Sequence, residues 1–121
     1  MTIRVAIVGT CASGKTSVSS ALSDRGFVAY SVSQEHSGVP ELWRHLKPDY
    51  VIYLSNTLGT LRRRRGIDTW PAWIYEAQLK RLASARDHAY AIVETDYVDL
   101  EAVVQTIIDL LDQSLPTETS R

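Results

Sequence analysis

Apolar runs and amphipathic segments alternate along the chain, and this alternation predicts the fold. Four short runs are almost wholly apolar, which is typical of strands buried on both faces of a parallel sheet. We predict strands at residues 3–8, 27–32, 50–54 and 90–93. Apolar residues spaced three or four apart predict helices in the remaining segments. The first of these helices ends at residues 24–26, and the others are expected at residues 39–46, 58–65, 70–86 and 100–111.

Residues with strong local preferences mark several helix ends. Gly26 and Gly66 suit the position just after a helix, because glycine adopts the left-handed conformation that ends many helices. Asn56 or Thr57 could cap the helix that runs into the four arginines, and Asp99 could cap the last helix.

Strands that alternate with helices form a parallel sheet covered on both faces, with right-handed crossovers. The predicted fold is therefore α/β, a three-layer α/β/α sandwich around a small parallel sheet of about four strands. At 121 residues the chain is expected to form one domain. We place that domain at residues 1–115 and expect residues 116–121, which are polar, to be a frayed tail.

Bulk composition narrows the class of protein. The net charge of −1 gives no general electrostatic preference for nucleic acid or for an anionic membrane. Cys11 is the only cysteine, which excludes an internal disulfide and is typical of a reducing compartment. No apolar run approaches the length of a membrane span, and the first strand begins too early for a signal segment to precede it. We expect a cytoplasmic protein with no membrane partner.

One stretch between the first strand and the first helix carries specific chemistry. Residues 9–16 read Gly, four variable residues, then Gly-Lys-Thr, which is the pattern of a phosphate-binding loop in the strand–loop–helix context that this loop requires. Glycines let the backbone curl round phosphate oxygens, and the unpaired amides and dipole of the following helix attract an anion. Lys15 is expected to reach the β- and γ-phosphates, and the Thr16 hydroxyl to bind magnesium. The nucleotide-binding residues predicted here are Gly9, Ala12, Ser13, Gly14, Lys15, Thr16 and Ser17.

Ligands of parallel α/β sheets bind beyond the carboxyl ends of the strands, and this rule ranks the polar residues. Those that follow a strand are Ser33, Gln34, Glu35, Ser55, Asn56, Glu94, Thr95 and Asp96. Glu35 is the preferred candidate for the magnesium-side or water-activating carboxylate, because a second strand placed next to the first would deliver it close to the metal. The alternative is a solvated loop glutamate. Asp49 precedes a strand, so we place it at the opposite edge and reject it.

Four consecutive arginines, Arg62 to Arg65, suit a bound triphosphate, because guanidinium groups stabilise charge on a transferring phosphoryl group. Consecutive helical residues point about 100° apart, so at most two of the four can face one ligand. Arg62 and Arg63 are our candidates, together with Lys15 and Glu35, for the catalytic residues. A basic surface patch or a weak nucleic-acid contact is the alternative.

Five other side chains have plainer explanations. His36 could contact substrate or act as an acid or base, although a loop histidine is more often simply exposed. Cys11 lies among amide donors that would lower a thiol pKa, but a variable loop position explains it better than a redox switch does. Trp43 is predicted to be core, whereas Trp70 and Trp73 could line a base pocket or belong to the core.

With these residues identified, the chain resembles a shortened member of the P-loop nucleoside and nucleotide kinase group, which includes adenylate-, thymidylate- and shikimate-kinase-like enzymes. Residues 9–16 match the Walker A loop. Residues 48–54 and 61–66 resemble a strand and an arginine-bearing lid helix, and residues 90–96 and 99–111 resemble the last strand and closing helix. The resemblance implies the P-loop NTPase form of the three-layer sandwich and magnesium–ATP as phosphoryl donor. It also implies that the arginine run lies in or beside a lid, and that Thr95, Asp96 and Tyr97 lie near the adenine.

The chain also departs from that group. Only about 20 residues, 31–50, span the interval in which the group usually has a further strand and a helical substrate-binding insert. The strand that carries the Walker B acid has no separate counterpart, so either Glu35 stands in for that acid or the acid is missing. So small a sheet is also compatible with a homodimer that covers an edge strand or completes the substrate site.

Two functions follow from these observations. The first is a small kinase that transfers the γ-phosphoryl group of magnesium–ATP to an unidentified small-molecule or nucleotide acceptor. The second is a nucleotide-binding regulatory module with little or no turnover. The retained arginines favour the first, and the shortened insert favours the second. An NTPase linked to nucleic acid rests only on the arginine run, and the chain lacks the Asn-Lys-x-Asp motif that would indicate GTP.

Overall fold

The computed structural model describes residues 3–114, which form a single four-stranded parallel sheet with four helices. In chain order the elements are β1 (Arg4–Gly9), α1 (Lys15–Asp24), β2 (Val28–Ser31), β3 (Tyr50–Ser55), α2 (Leu58–Arg65), α3 (Ala72–Asp87), β4 (Ala91–Glu94) and α4 (Leu100–Ser114). Two 3₁₀ turns, Gln34–His36 and Leu42–Arg44, lie between β2 and β3. The predicted frayed tail, residues 116–121, lies outside the described residues.

All strands are parallel, in the order β2-β1-β3-β4. The central strands β1 and β3 are buried on both faces, as their apolar runs predicted. The edge strands β2 and β4 are partly exposed, so the expected burial on both faces is wrong for them. The chain crosses from β2 past β1 to reach β3. Because the strands are parallel, the loops that follow β1 and β2 lie at the same edge of the sheet. This topology decides which side chains can meet at that edge.

Alternate residues of β1 face two separate apolar layers. Val5 and Ile7 belong to the core cluster shared with α1 and α4, and Ala6 and Val8 belong to the cluster shared with α3. The first cluster consists of Val5, Ile7, Val18, Leu22, Ile52, Leu54, Val93, Val103, Val104, Ile107 and Leu111. Helices therefore cover both faces of the sheet, which confirms an α/β fold and is compatible with a three-layer sandwich.

Most predicted helix ends are confirmed. The Thr57 hydroxyl, rather than Asn56, caps α2 by accepting from the Thr60 amide at 3.2 Å. Gly66 ends α2 with φ 70°, in the left-handed conformation that favours glycine. Asp99 caps α4 through the Ala102 amide at 2.9 Å.

The helix predicted at residues 39–46 is wrong. Only the 3₁₀ turn Leu42–Arg44 forms there, because Glu41 and Lys47 adopt left-handed conformations with φ 58° and 51° that a helix cannot include. Trp43 is nevertheless buried, as predicted for a core residue. Its amide donates to the Gln34 side chain at 3.1 Å instead of continuing a helix.

Several element boundaries also differ from the prediction by one to three residues. The second strand covers Val28–Ser31, and α3 begins at Ala72 rather than at Trp70, because Pro71 takes the extended conformation that precedes a helix. Across residues 3–114, none of the helices combines the length and the apolar character needed to cross a membrane.

Candidate functional site

The loop between β1 and α1, residues 10–14, turns sharply at the carboxyl edge of the sheet. At Gly9, a Cβ atom would lie 2.5 Å from the Leu54 carbonyl oxygen and 2.8 Å from the Ser13 hydroxyl, so only glycine fits. Gly14 has φ 96°, and a Cβ there would meet no atom within 4 Å. The first glycine is therefore required by close packing, and the second borders open space at the start of α1.

Backbone amides converge at that open space. The amides of Gly14, Lys15, Thr16 and Ser17 donate no hydrogen bond to any group within residues 3–114. The helix begins here with its positive dipole end, and its first regular bond is donated by Val18 to the Gly14 carbonyl at 2.9 Å. Thr16 and Ser17 are exposed, so their hydroxyls face solvent beside these amides. The arrangement offers several unpaired donors to an anion.

Lys15 is held over the loop by three oxygen atoms. Its Nζ lies 3.1 Å from the Gly9 carbonyl oxygen, 3.3 Å from that of Thr10 and 2.5 Å from Glu35 Oε2. The Lys15 and Glu35 side chains are only 10 % and 3 % exposed. The strand order explains the contact, because β2 lies directly beside β1 and the 3₁₀ turn after β2 brings Glu35 to the loop.

Only one oxygen of the Glu35 carboxylate has a partner. Oε1 is buried and makes no hydrogen bond within the described part of the chain. His36 Nε2 lies 3.7 Å from Oε2 on an imidazole that is 57 % exposed, and Arg81 donates to the Glu35 main-chain oxygen at 3.2 Å. A buried carboxylate with a free oxygen is costly unless a cation or a hydrogen-bond donor reaches it, so Glu35 has the environment of a ligand-binding group.

Arg64, rather than Arg62 or Arg63, reaches the loop. Arg64 Nη1 donates to the Ala12 carbonyl oxygen at 2.8 Å, and Nη2 donates to the Thr95 carbonyl oxygen at 2.5 Å. Arg62 Nε instead donates to the Trp70 carbonyl oxygen at 2.9 Å.

The guanidinium group of Arg63 lies 4.6 Å from the centre of the Tyr97 ring, on a face of α2 that does not meet the loop. Arg65 makes no ion pair or hydrogen bond through its side chain within residues 3–114. The four arginine side chains therefore point in different directions round α2, as expected. The one that faces the loop is the third of the four.

A cavity of about 220 Å³ lies beside the loop, between α1, Arg64 and the segment that follows β4. Thr95 lines it and is buried, with its amide donating to the Ser55 carbonyl oxygen at 2.8 Å. The full lining comprises Ala12, Ser13, Gly14, Ser17, Val18, Arg64, Thr95, Val98, Leu100 and Val103. One polar wall and one apolar wall would suit a flat, partly polar ring.

Asp96 and Tyr97, which are predicted together with Thr95 to lie near an adenine, do not line this cavity. Asp96 Oδ1 accepts from the Thr57 amide at 3.1 Å, at the start of α2. Partial burial raises the pKa of Asp96, but hydrogen bonds from Thr60 and Thr57 outweigh it and hold that pKa below its usual range. Tyr97 is 86 % exposed in a left-handed conformation with φ 57°. Asp96 therefore orders the segment, whereas Tyr97 faces solvent.

Two buried polar side chains, Gln78 and Asn56, support the loop. Asn56 is one of the polar residues predicted to lie near this edge of the sheet, whereas no role is predicted for Gln78. Gln78 accepts from the Cys11 amide at 3.0 Å and donates to Cys11 Sγ at 3.3 Å. Asn56 accepts from the Thr10 hydroxyl and donates to the Cys11 carbonyl oxygen at 3.4 Å. A signal for Gln78 does exist: it stands four residues before Leu82 on the buried face of α3, where an apolar residue would be expected.

The remaining candidates lie elsewhere. Asp49 accepts from the Arg4 amide at 2.8 Å, at the amino edge of the sheet, as its position before a strand predicted. Trp73 is 69 % exposed and lies outside both core clusters. Within residues 3–114 no three His, Cys, Asp or Glu side chains converge as a metal-binding group, so a cation here would need ligands from a bound anion or water as well.

Comparison of the chain with models of known protein families and with curated proteins finds no match.

Proposed function

We propose that residues 9–16 form a phosphate-binding P-loop and that the protein is a small kinase, which transfers the γ-phosphoryl group of magnesium–ATP to a small-molecule acceptor. The observation that carries this proposal is the meeting of Lys15, the unpaired amides of residues 14–17 and the buried Glu35 at one edge of the sheet. Phosphoryl transfer depends mainly on positioning and on electrostatic stabilisation, and these groups provide both.

The residues present fit both ATP and magnesium. The unpaired amides and the open space at Gly14 suit phosphate oxygens, because a side chain at position 14 would occupy the space that the phosphate needs. Thr16 and the free Oε1 of Glu35 are oxygen ligands of the kind that magnesium prefers. When bound, magnesium would neutralise charge on the phosphates. Side chains of the protein would bind and orient the nucleotide.

The partners of the Lys15 ammonium group would differ between the nucleotide-free and the nucleotide-bound protein. Without nucleotide it pairs with Glu35 and two loop carbonyls. With nucleotide, its ammonium group would turn to the β- and γ-phosphate oxygens. In the transfer, the acceptor hydroxyl oxygen forms a bond to the γ-phosphorus, the bond to the bridging oxygen of ADP breaks, and the hydroxyl proton passes to water. Lys15 stabilises the charge that develops on the phosphoryl oxygens.

Arg64 is the arginine that supports this function best. We expect Arg64→Gln to weaken nucleotide affinity about tenfold, because it removes a charge beside the loop and the bonds that join Ala12 to Thr95. Calorimetric titration with magnesium–ADP checks this. Arg65→Gln is the matched control, since it removes the same charge from the next helical position and should change the affinity less than twofold. Equal losses in the two variants would mean that only the net charge of α2 matters.

A turnover assay tests the kinase itself. The chain is incubated with magnesium–ATP and a panel of nucleosides, nucleotides and small hydroxy acids, and both ADP and a phosphorylated product are measured. We expect at least one acceptor to stimulate ADP formation and to gain phosphate in equal amount. Nucleotide binding without acceptor-stimulated turnover would instead favour the regulatory module, which the short segment between β2 and β3 also suits.

A further inference from the structure

A second cavity lies between the segment that follows β2 and α3. It has a volume of about 240 Å³ and is enclosed by the segment that follows β2 and by the middle of α3. Its lining comprises Gln34, Ser37, Gly38, Val39, Pro40, Glu41, Lys80, Arg81 and Ser84. The Arg81 guanidinium donates to the Glu35 main-chain oxygen, and the Glu35 carboxylate contacts Lys15. Two contacts, from Arg81 to Glu35 and from Glu35 to Lys15, therefore connect the cavity with the loop.

The wall formed by the segment after β2 is held in shape without a ligand. Gln34 is buried, and its Nε2 donates to the Val39 carbonyl oxygen at 3.0 Å while its Oε1 accepts from the Trp43 amide at 3.1 Å. The Ser37 hydroxyl accepts from the Val39 amide at 3.0 Å. Because these bonds fix the segment across the mouth of the cavity, binding there would need little ordering.

The charge of the cavity is positive. Lys80 makes no ion pair or hydrogen bond with the described residues, and Arg81 makes one hydrogen bond, to a main-chain oxygen. The lining carboxylate, Glu41, is already neutralised by Arg44 Nε at 2.8 Å and accepts from the Ser84 hydroxyl at 2.6 Å. These two interactions, the Ser84 bond first, hold the pKa of Glu41 below its usual range, so the carboxylate keeps its partners.

We propose that this second cavity binds the anionic group, a carboxylate or a phosphate, of the molecule that accepts the phosphoryl group. Two cations without acidic partners, in a cavity of fixed shape, are the chemistry that recognises a small oxyanion. An anion anchored there would hold a neighbouring hydroxyl on the Glu35 side, towards the loop. The acceptor role rests on the proposed function, whereas the anion site itself does not.

Binding is tested on the ¹⁵N-labelled full chain by following amide signals during titration with inorganic phosphate, acetate or neutral glycerol. We expect saturable shifts of the Ser37, Gly38 and Ser84 amides with at least one of the two anions and none with glycerol. A response to phosphate alone indicates a phosphorylated acceptor, and a response to acetate alone indicates a carboxylic acid. The proposal fails if neither anion moves these amides, or if glycerol moves them equally.

The second part of the test removes the positive charges of the cavity and repeats the anion titration. In Lys80→Gln/Arg81→Gln the anion affinity at the cavity should fall at least about tenfold, while the response of the Lys15 amide to phosphate stays the same. Lys47→Gln/Arg86→Gln loses the same charge outside the cavity and should leave both responses intact. Unchanged affinity in the first variant would overturn the proposal. Lys80→Gln alone keeps the test decisive if the double variant fails to fold.

The two proposals can fail separately. If the Lys15 amide ignores phosphate while the cavity amides respond, the P-loop proposal is wrong and the anion site stands. If the loop binds nucleotide but the cavity ignores both anions, the acceptor must be recognised elsewhere. In the turnover assay, an anionic acceptor should lose activity through a raised KM in the Lys80→Gln/Arg81→Gln variant, with kcat changed less.

Discussion

Lys15→Ala is expected to abolish measurable binding of magnesium–nucleotide, with affinity lowered at least about 100-fold. The side chain supplies an ammonium group at the edge where the amides of residues 14–17 have no hydrogen-bond acceptor within residues 3–114. Removing this ammonium group takes away a charge-assisted contact to the phosphates. The contact would lie in a site where the Lys15 side chain is only 10 % exposed. Calorimetric titration of both proteins with magnesium–ADP measures the loss.

The same substitution should also destabilise the fold, and this effect must be separated from the loss of binding. Glu35 would be left as a buried carboxylate without its partner, which costs about 3–5 kcal/mol of unfolding free energy. The double variant Lys15→Ala/Glu35→Gln removes that charge and should regain most of the stability in urea unfolding. It should still fail to bind nucleotide. Wild-type affinity in the double variant would contradict the P-loop proposal, and Lys47→Ala controls for the loss of an exposed lysine.

The sequence predicted the elements that depend on one local pattern. The runs of β1 and β3 are continuously apolar because these central strands are buried on both faces. The edge strands β2 and β4 are also apolar runs, although they are partly exposed. The prediction that Glu35 lies at the carboxyl edge of the sheet needed only the rule that ligands gather at the carboxyl ends of strands, together with a place for β2 beside β1. Both statements follow from topology rather than from side-chain detail.

The features that the sequence missed depend on how elements pack. Apolar residues at a helical spacing predicted a helix at residues 39–46, but that spacing does not exclude the left-handed conformations found at Glu41 and Lys47. The choice among the arginines depends on the rotation of α2, which is set by the burial of Leu61 three residues before Arg64. The role of Gln78 depends on where α3 passes the loop. Helical spacing marks Gln78 as a polar residue on the buried face of α3, but it does not show which segment that side chain contacts.

Glu35 gives the second large effect, because its charge should make nucleotide binding depend on magnesium. When Lys15 turns to the phosphates, the Glu35 carboxylate loses the partner of Oε2, while Oε1 already has none within residues 3–114. A buried carboxylate without any partner is strongly unfavourable, so binding must supply a cation near Glu35 or lose affinity. His36 does not remove this cost, since its imidazole is 3.7 Å away and largely exposed.

Wild-type protein is therefore expected to bind ADP at least about tenfold more tightly with magnesium than with EDTA, and Glu35→Gln should reduce that ratio to about threefold or less. Without magnesium, Glu35→Gln should bind ADP more tightly than wild type, because Lys15 no longer leaves a carboxylate behind. Calorimetry in both conditions measures the four affinities. Glu76→Gln, an exposed glutamate on α3, is the matched control and should keep the wild-type ratio. A full magnesium effect in Glu35→Gln would show that Glu35 does not lie on the metal side.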